Sequence, residues 1–212
     1  MIRFAKWNDL EGVARVHAKC FPNSYVTQLS KVNWLGKDLL PVFYQTFFND
    51  NPELFVVAED DNHKIVGFCM GYYMDKDDQI ARFMVENSFW ISIKTLLLLL
   101  IFNKYAWNKL LSHFLYKSSQ SDWTIVNDKY ECYSNDQRGD LLSVCVLPEC
   151  RGKQYAQGMM ELYLKSMKEH GRKLCLLSVK QENSRAIHYY ERNGFELYRT
   201  RGNEGYTFIK VL

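Results

Sequence analysis

Apolar positions in this chain follow two rhythms, and the stretch that follows neither divides it. Ile2 to Ala5 reads as a short strand. Asn8 can cap a helix to about Cys20, with Leu10, Val13, Ala14, Val16 and His17 at helical spacing. Residues 37–49 form a second helix pattern, in which Leu39, Leu40, Phe43, Phe47 and Phe48 share one broad face and Pro52 breaks the chain. Leu54 to Glu59 and Ile65 to Tyr73 then read as two strands joined by the turn Asp60-Asp61-Asn62-His63. Regular rhythm returns at residue 141. Leu141 to Val146 is a strand, Gln154 to His170 a helix stopped by Gly171, Leu174 to Val179 a strand, and Ser184 to Arg192 a helix stopped by Asn193-Gly194. Phe195 to Arg201 and Tyr206 to Val211 are two last strands around Gly202-Asn203-Glu204-Gly205.

Between the two regular parts, residues 75–139 do not continue the alternation. Asn87 to Ser118 holds Lys94, Lys104, Lys109 and Lys117 and no acid. Trp107, Leu110, Leu111, Phe114 and Leu115 repeat at helical spacing, with Asn103, Asn108, Lys109, Ser112 and Lys117 opposite, so a basic amphipathic helix is expected there. Residues 119–139 are polar and read as loop or short hairpin. The apolar run Leu96 to Phe102 lies between Lys94 and Lys104, well short of the about 20 residues a membrane span needs. An interfacial helix over about 88–118 remains open. Met1 to Lys6 lacks the apolar core of a secretory signal.

A length of 212 residues with 47% hydrophobic positions suits one domain, 1–212, with an insertion at about 75–139. A net charge of +3 shows no basic excess of the kind a nucleic-acid binder carries, so no nucleic-acid partner is expected. The six cysteines form no C-x-x-C pair and match no zinc spacing, so reduced thiols, a cytoplasmic location and no metal are expected.

Two segments carry candidate chemistry. After the strand 141–146 the chain runs Leu147-Pro148-Glu149-Cys150-Arg151-Gly152-Lys153-Gln154-Tyr155-Ala156 into a helix. A helix opening with glycine and basic residues straight after a strand offers unpaired amides and the positive end of a dipole to a pyrophosphate. Pro148 keeps the strand end from pairing, so it can splay from a neighbour. The second segment is Asn183 to Phe195, a capped amphipathic helix with Tyr190 about two turns along.

Together these segments resemble the GNAT superfamily of N-acetyltransferases. The acetyl-CoA motif of that family (Arg or Gln, two residues, Gly, one residue, Gly or Ala) falls on Arg151 to Ala156, and its second motif on Asn183, Ala186, Tyr190, Gly194 and Phe195. The resemblance covers about 1–74 and 140–212. It implies an α/β (α+β) fold with a mixed, mostly antiparallel central sheet flanked by helices, and a helical insertion between the third and fourth strands. It implies acetyl-CoA as acyl donor, no metal, and direct attack of an amine on the thioester. Main chain at Val144, Cys145 and Val146 would pair with the pantetheine arm, the amides from Gly152 through Lys153, Gln154, Tyr155 and Ala156 to Gln157 would hold the pyrophosphate beside Arg151, and Asn183 would bond the arm. Tyr190 takes the position of the general acid, Asp140 that of a base, and Tyr189 is expected to be packing. One residue departs from the pattern: Gln154 stands where the motif has glycine; a glutamine can keep a helical conformation there and still donate its amide, and weakened or repositioned cofactor binding, not loss, is expected.

The acceptor side would be built from 21–36, with Phe21, Tyr25 and Trp34, and from the insertion, as a lid, a dimer or partner surface, or an interfacial helix pair. Leu177-Ser178-Val179 lacks the glutamate of ribosomal-protein N-terminal acetyltransferases. The expected function is acetyl-CoA-dependent N-acetylation of a small primary amine, with an amino sugar as one candidate. A non-catalytic acyl-CoA-binding interaction module and a protein N-terminal or lysine acetyltransferase are the alternatives.

Overall fold

The computed structural model describes residues 1–76, 78–101, 103, 104, 106–108, 123–202 and 205–212. Lys109, Leu110, Leu111, Ser112, Phe114, Leu115 and Lys117 of the expected basic helix, and Asn203-Glu204 of the last turn, lie outside them. Eight strands form one sheet: β1 (Ile2–Phe4), β2 (Phe55–Glu59), β3 (Ile65–Tyr73), β4 (Thr124–Ile125), β5 (Arg138–Val146), β6 (Leu174–Lys180), β7 (Glu196–Arg201) and β8 (Gly205–Val211), in the order β1-β2-β3-β5-β6-β8-β7-β4. Every neighbouring pair is antiparallel except β5 with β6. The helices are α1 (Leu10–Cys20), α2 (Tyr25–Ser30), α3 (Leu39–Asp50), α4 (Gln79–Glu86), α5 (Ser88–Leu100), α6 (Tyr155–Glu169) and α7 (Ser184–Arg192).

The main core joins α1 and α3 to one face of the sheet and α6 to the other, with Val13, Tyr44, Phe47, Phe68, Met159 and Tyr163 fully buried. β2 and β3 are buried at nearly every position, because helices cover both faces.

The sequence pattern missed α2, β4 and α4. Ser24 caps α2 by accepting from Thr27 N–H, and Asp78 caps α4 by accepting from Ile80 and Ala81 N–H. β4 adds a strand inside the insertion, so the insertion joins the third strand to the fifth. Its helices form a satellite core with α2 and the start of α3, made of Leu29, Val32, Leu39, Phe83, Ile91, Leu98 and Ala106. Lys94, one of the four lysines counted in Asn87 to Ser118, is buried and donates to the Val32 carbonyl at 3.0 Å.

Candidate functional site

The site starts where two strands part. β5 and β6 pair in parallel only over Arg138, Gly139 and Asp140, opposite Leu174, Cys175 and Leu176. Beyond that point β5 runs on beside β3, and β6 beside β8. A wedge opens between them.

The register says which main-chain groups face the wedge. Leu147 N–H donates to the Val66 carbonyl at 2.8 Å, extending the β3–β5 ladder. Antiparallel pairs alternate between bonded and non-bonded, so Phe68–Cys145 is a bonded pair, while Gly67–Val146 and Cys69–Val144 are not. Val144 and Val146 therefore turn their N–H and C=O groups toward the wedge. Cys145, named with them from the sequence, has its main chain committed to Phe68. The Val146 carbonyl accepts from Arg151 Nε (3.3 Å) and from the Cys20 thiol (3.6 Å), which leaves its N–H facing the wedge. A bulge at Leu142 breaks the register between Ser143 and Leu141. Gly71 stands opposite it, and any Cβ there would collide with the Asp140 carbonyl and the Tyr163 hydroxyl. Tyr163 donates to that carbonyl at 2.9 Å, pinning the strand just before the wedge.

One end of the wedge is a cleft of about 500 Å³. Arg151, Gly152, Gln154, Tyr155, Ala156 and Gln157 form one wall. The first helical bond of α6 is donated by Gly158 to Gln154 (3.0 Å), so the amides ahead of it point out of the helix end. Gly152 has φ +84° with open space around its Cα. Gln154 has φ +60° and ψ 7°. It does not keep the helical conformation open to a glutamine, but takes the left-handed one that glycine would adopt freely. Lys153 is exposed and does not line the cleft. The opposite wall comes from α7: Arg185, Tyr189, Arg192 and Asn193. Tyr189 is more than packing, since its hydroxyl donates to the Ala156 carbonyl at 2.9 Å and ties α7 to α6. Among the described residues, three guanidinium groups and no carboxylate line this cleft, which suits a polyanion. Arg185 and Arg192 were not singled out from the sequence. Their seven-residue spacing, which puts both on one helix face, was the signal available.

The other end is a pocket of about 430 Å³. Leu142, Ser143 and Val144 of β5, Ser178 to Lys180 of β6, and Asn183, Ala186 and Tyr190 of the α7 region line one side. His17, Phe21, Ser24, Tyr25, Val26, Phe43 and Tyr44 line the other. Asn183 Oδ1 accepts from Ala186 N–H at 3.2 Å, capping α7. Burial raises the Tyr190 hydroxyl well above an ordinary phenol, so it stays protonated. Asp140 does not line the pocket. It shares a sheet face with Tyr72, and burial pushes its carboxyl up to about 7.

His17 is a pocket residue that sequence spacing assigned only to a helix face. Ser24 Oγ donates to Thr27 Oγ1 (2.8 Å), so it accepts from His17 Nε2 (2.8 Å). Nδ1 is left to accept from the Tyr44 hydroxyl. Burial holds His17 down at about 4, hence neutral. Cys145 lies beside Cys20, and burial pushes its thiol far up. No group of three or more metal-ligating side chains occurs among the described residues.

Residues 123–195 match the model of the Acetyltransferase (GNAT) family. The matched stretch spans the helix-end cradle, Asn183, Tyr190 and Phe195. The fold is also that of solved acetyltransferase structures. SsHAT superposes with a TM-score of 0.60 at 18% identity, covering 100% of this chain and 97% of that one. The PaiA N-acetyltransferase of Thermoplasma acidophilum in complex with coenzyme A gives 0.53 at 15%, with 100% and 98% covered. The NatC complex bound to Gag peptide and CoA gives 0.53 at 13%, with 100% and 98% covered. No curated protein matches the sequence. At these identities the structures speak for the fold. The family match and the fold together support an acyltransferase, and leave its acceptor undetermined.

Proposed function

Taking a GNAT acetyltransferase segment on a GNAT fold as the premise, we propose that this protein transfers an acetyl group from acetyl-CoA to a primary amine of a small molecule, with an amino sugar as one candidate. The observation that carries this reading is the wedge itself. It has a tri-arginine cleft at one end and an aromatic pocket at the other, with main-chain groups of Val144 and Val146 between them.

The pyrophosphate sits on the amides of Gly152 to Gln157, with Arg151, Arg185 and Arg192 around it. The pantetheine arm lies along Val144 and Val146, with Asn183 at its side. The amine waits in the pocket among Phe21, Tyr25, Phe43 and Tyr190. Its neutral nitrogen attacks the thioester carbon, and the developing oxyanion is met by Val146 N–H. Asp140, which does not line the pocket, takes the proton of the incoming ammonium through water. Tyr190 gives its proton to the departing thiolate. Cytoplasmic location suits this donor and the free thiols.

Two measurements test the proposal. Acetyl-CoA at one hundred times its dissociation constant stabilises by about 2.7 kcal/mol, a rise in melting temperature of about 5–10 °C for a chain of this size. Tyr190→Phe lowers kcat about 100-fold for acetylation of an amino sugar or another small amine and leaves that rise intact. No rise at millimolar acetyl-CoA overturns the reading. Gln154 favours one rival, since it holds a glycine conformation at a cost. A CoA-binding module without turnover would show the rise but release no thiol with any amine. Turnover on peptide amines alone would move the acceptor to proteins.

A further inference from the structure

The insertion presents a surface that acetyl transfer does not use. α4 and α5 meet at a bend of 76°, and neither is long and apolar enough to cross a membrane. Their inner faces are spent on the satellite core. Their outer faces are apolar as well. On α5, Phe89, Ile93, Leu96 and Leu100 follow one another at intervals of four, three and four residues, which makes a single stripe. Phe89 is 64% exposed, Leu96 58% and Leu100 66%. Ile101 just past α5 is exposed, as are Ile80, Met84 and Val85 of α4. The one charge within α5, Lys94, is buried on the opposite side.

The ends of the stripe are aromatic and basic. Trp107 follows it, its indole N–H donating to the Leu99 carbonyl at 3.1 Å. Lys104 is exposed there, and Lys37 reaches Asn87 at the other end (2.9 Å). Exposed Trp34 lies next to the turn at Gly36 on which Trp90 rests. Glu86, on α4, is the acid nearest the stripe in the sequence; from Asn87 to Ser121 there are four lysines and no acid. Two copies pressed together through this face would set exposed Lys37 and Lys104 against their like. An apolar stripe between indole rings and ammonium groups is the pattern of a helix lying in a lipid interface.

We propose that α4 and α5 dock the protein on the surface of an anionic lipid bilayer, with the α5 stripe sunk among the acyl chains and Lys37 and Lys104 among the headgroups. Tyr25 Oη bonds Thr95 Oγ1 at 2.6 Å, and Asn103 Nδ2 bonds Gln28 Oε1 at 3.1 Å, so α5 is fastened to the helix that walls the aromatic pocket. Docking would hold that pocket close to the bilayer. The docking itself does not depend on acetyl transfer.

Co-sedimentation of the full chain with vesicles tests it. Vesicles of phosphatidylcholine with 30% phosphatidylglycerol should carry the protein down, and pure phosphatidylcholine at least tenfold less. Leu96→Glu together with Leu100→Glu should weaken binding to the anionic vesicles at least tenfold. Both positions are exposed, so the circular dichroism melt should stay unchanged. Failure to sediment with the anionic vesicles overturns the proposal. So does equal sedimentation of the double variant, which would place the contact elsewhere. A dimer mass by light scattering that the double variant returns to 25.1 kDa, without vesicle binding, would assign the stripe to a second copy.

Discussion

Gln154 shows what one residue costs and where the cost falls. A non-glycine residue in the left-handed region is disfavoured by about 1–2 kcal/mol. Here the position starts α6 and aims its amides at the tri-arginine cleft. Gln154→Gly should therefore raise the melting temperature by a few degrees, less than the full relief because glycine gains freedom in the unfolded chain. It should keep or sharpen the acetyl-CoA-induced rise. A melt that falls on Gln154→Gly would mean the glutamine side chain holds the loop. Asp140 gives a prediction of opposite sign in pH. Its folded value of about 7 lies above the ordinary aspartate value of 3.8, so the folded state binds the extra proton between them. Stability is then lost as pH rises through that window. Asp140→Asn should melt higher than the parent at pH 8, with the gain vanishing near pH 4. If Asp140 is the base, kcat/KM of the parent climbs through pH of about 7, and Asp140→Asn abolishes that limb.

At the scale of elements, the wedge and its two helices make the site, and they were legible to different degrees. The strand–loop–helix around Arg151 and the helix from Ser184 to Arg192 were readable because caps, glycines and apolar spacing act locally. The wedge was not, because it depends on where β5 stops pairing with β6, a partner that arrives only after α6. Pro148 hinted at it, but the alternation that frees Val144 and Val146 and commits Cys145 is a matter of register. Likewise His17 and Tyr44 reach the pocket from α1 and α3, and no local spacing foretells that meeting. α7 offers the sharper test. Arg185 and Arg192 lie one above the other on the wall that faces the α6 amides. Replacing both by alanine should weaken acetyl-CoA at least tenfold in a titration, since a hydrogen bond to a charged group contributes about 1.5–3 kcal/mol. Both are exposed, so the melt without ligand should hardly move. An unchanged affinity would take α7 out of the pyrophosphate site.

Across the whole molecule, the cofactor cleft belongs to the main core, while the pocket is shared with the satellite core. Phe43 is the joint between them. Its ring meets Tyr44 at 5.4 Å and Phe47 at 4.9 Å on the main-core side, and Phe83 of α4 edge-on at 5.2 Å. The insertion was visible in the sequence as an interruption of the strand–helix rhythm. The burial of Lys94 was not, since it follows from packing against the segment after α2. This division predicts that damage to the satellite core reaches one substrate and spares the other. Phe83 is buried at the centre of that core and lines neither the cleft nor the pocket. Phe83→Ala should cost about 3–5 kcal/mol, most of it from loosening α4 and α5. Phe43 and Tyr25 would lose their backing, so the acceptor KM should rise severalfold. The cleft around Arg151 keeps its own support from Met159, Tyr163 and Tyr189, and acetyl-CoA affinity should stay within twofold of the parent. Equal losses for both substrates would show that the two cores unfold as one unit, and that the insertion shares in the stability of the whole sheet.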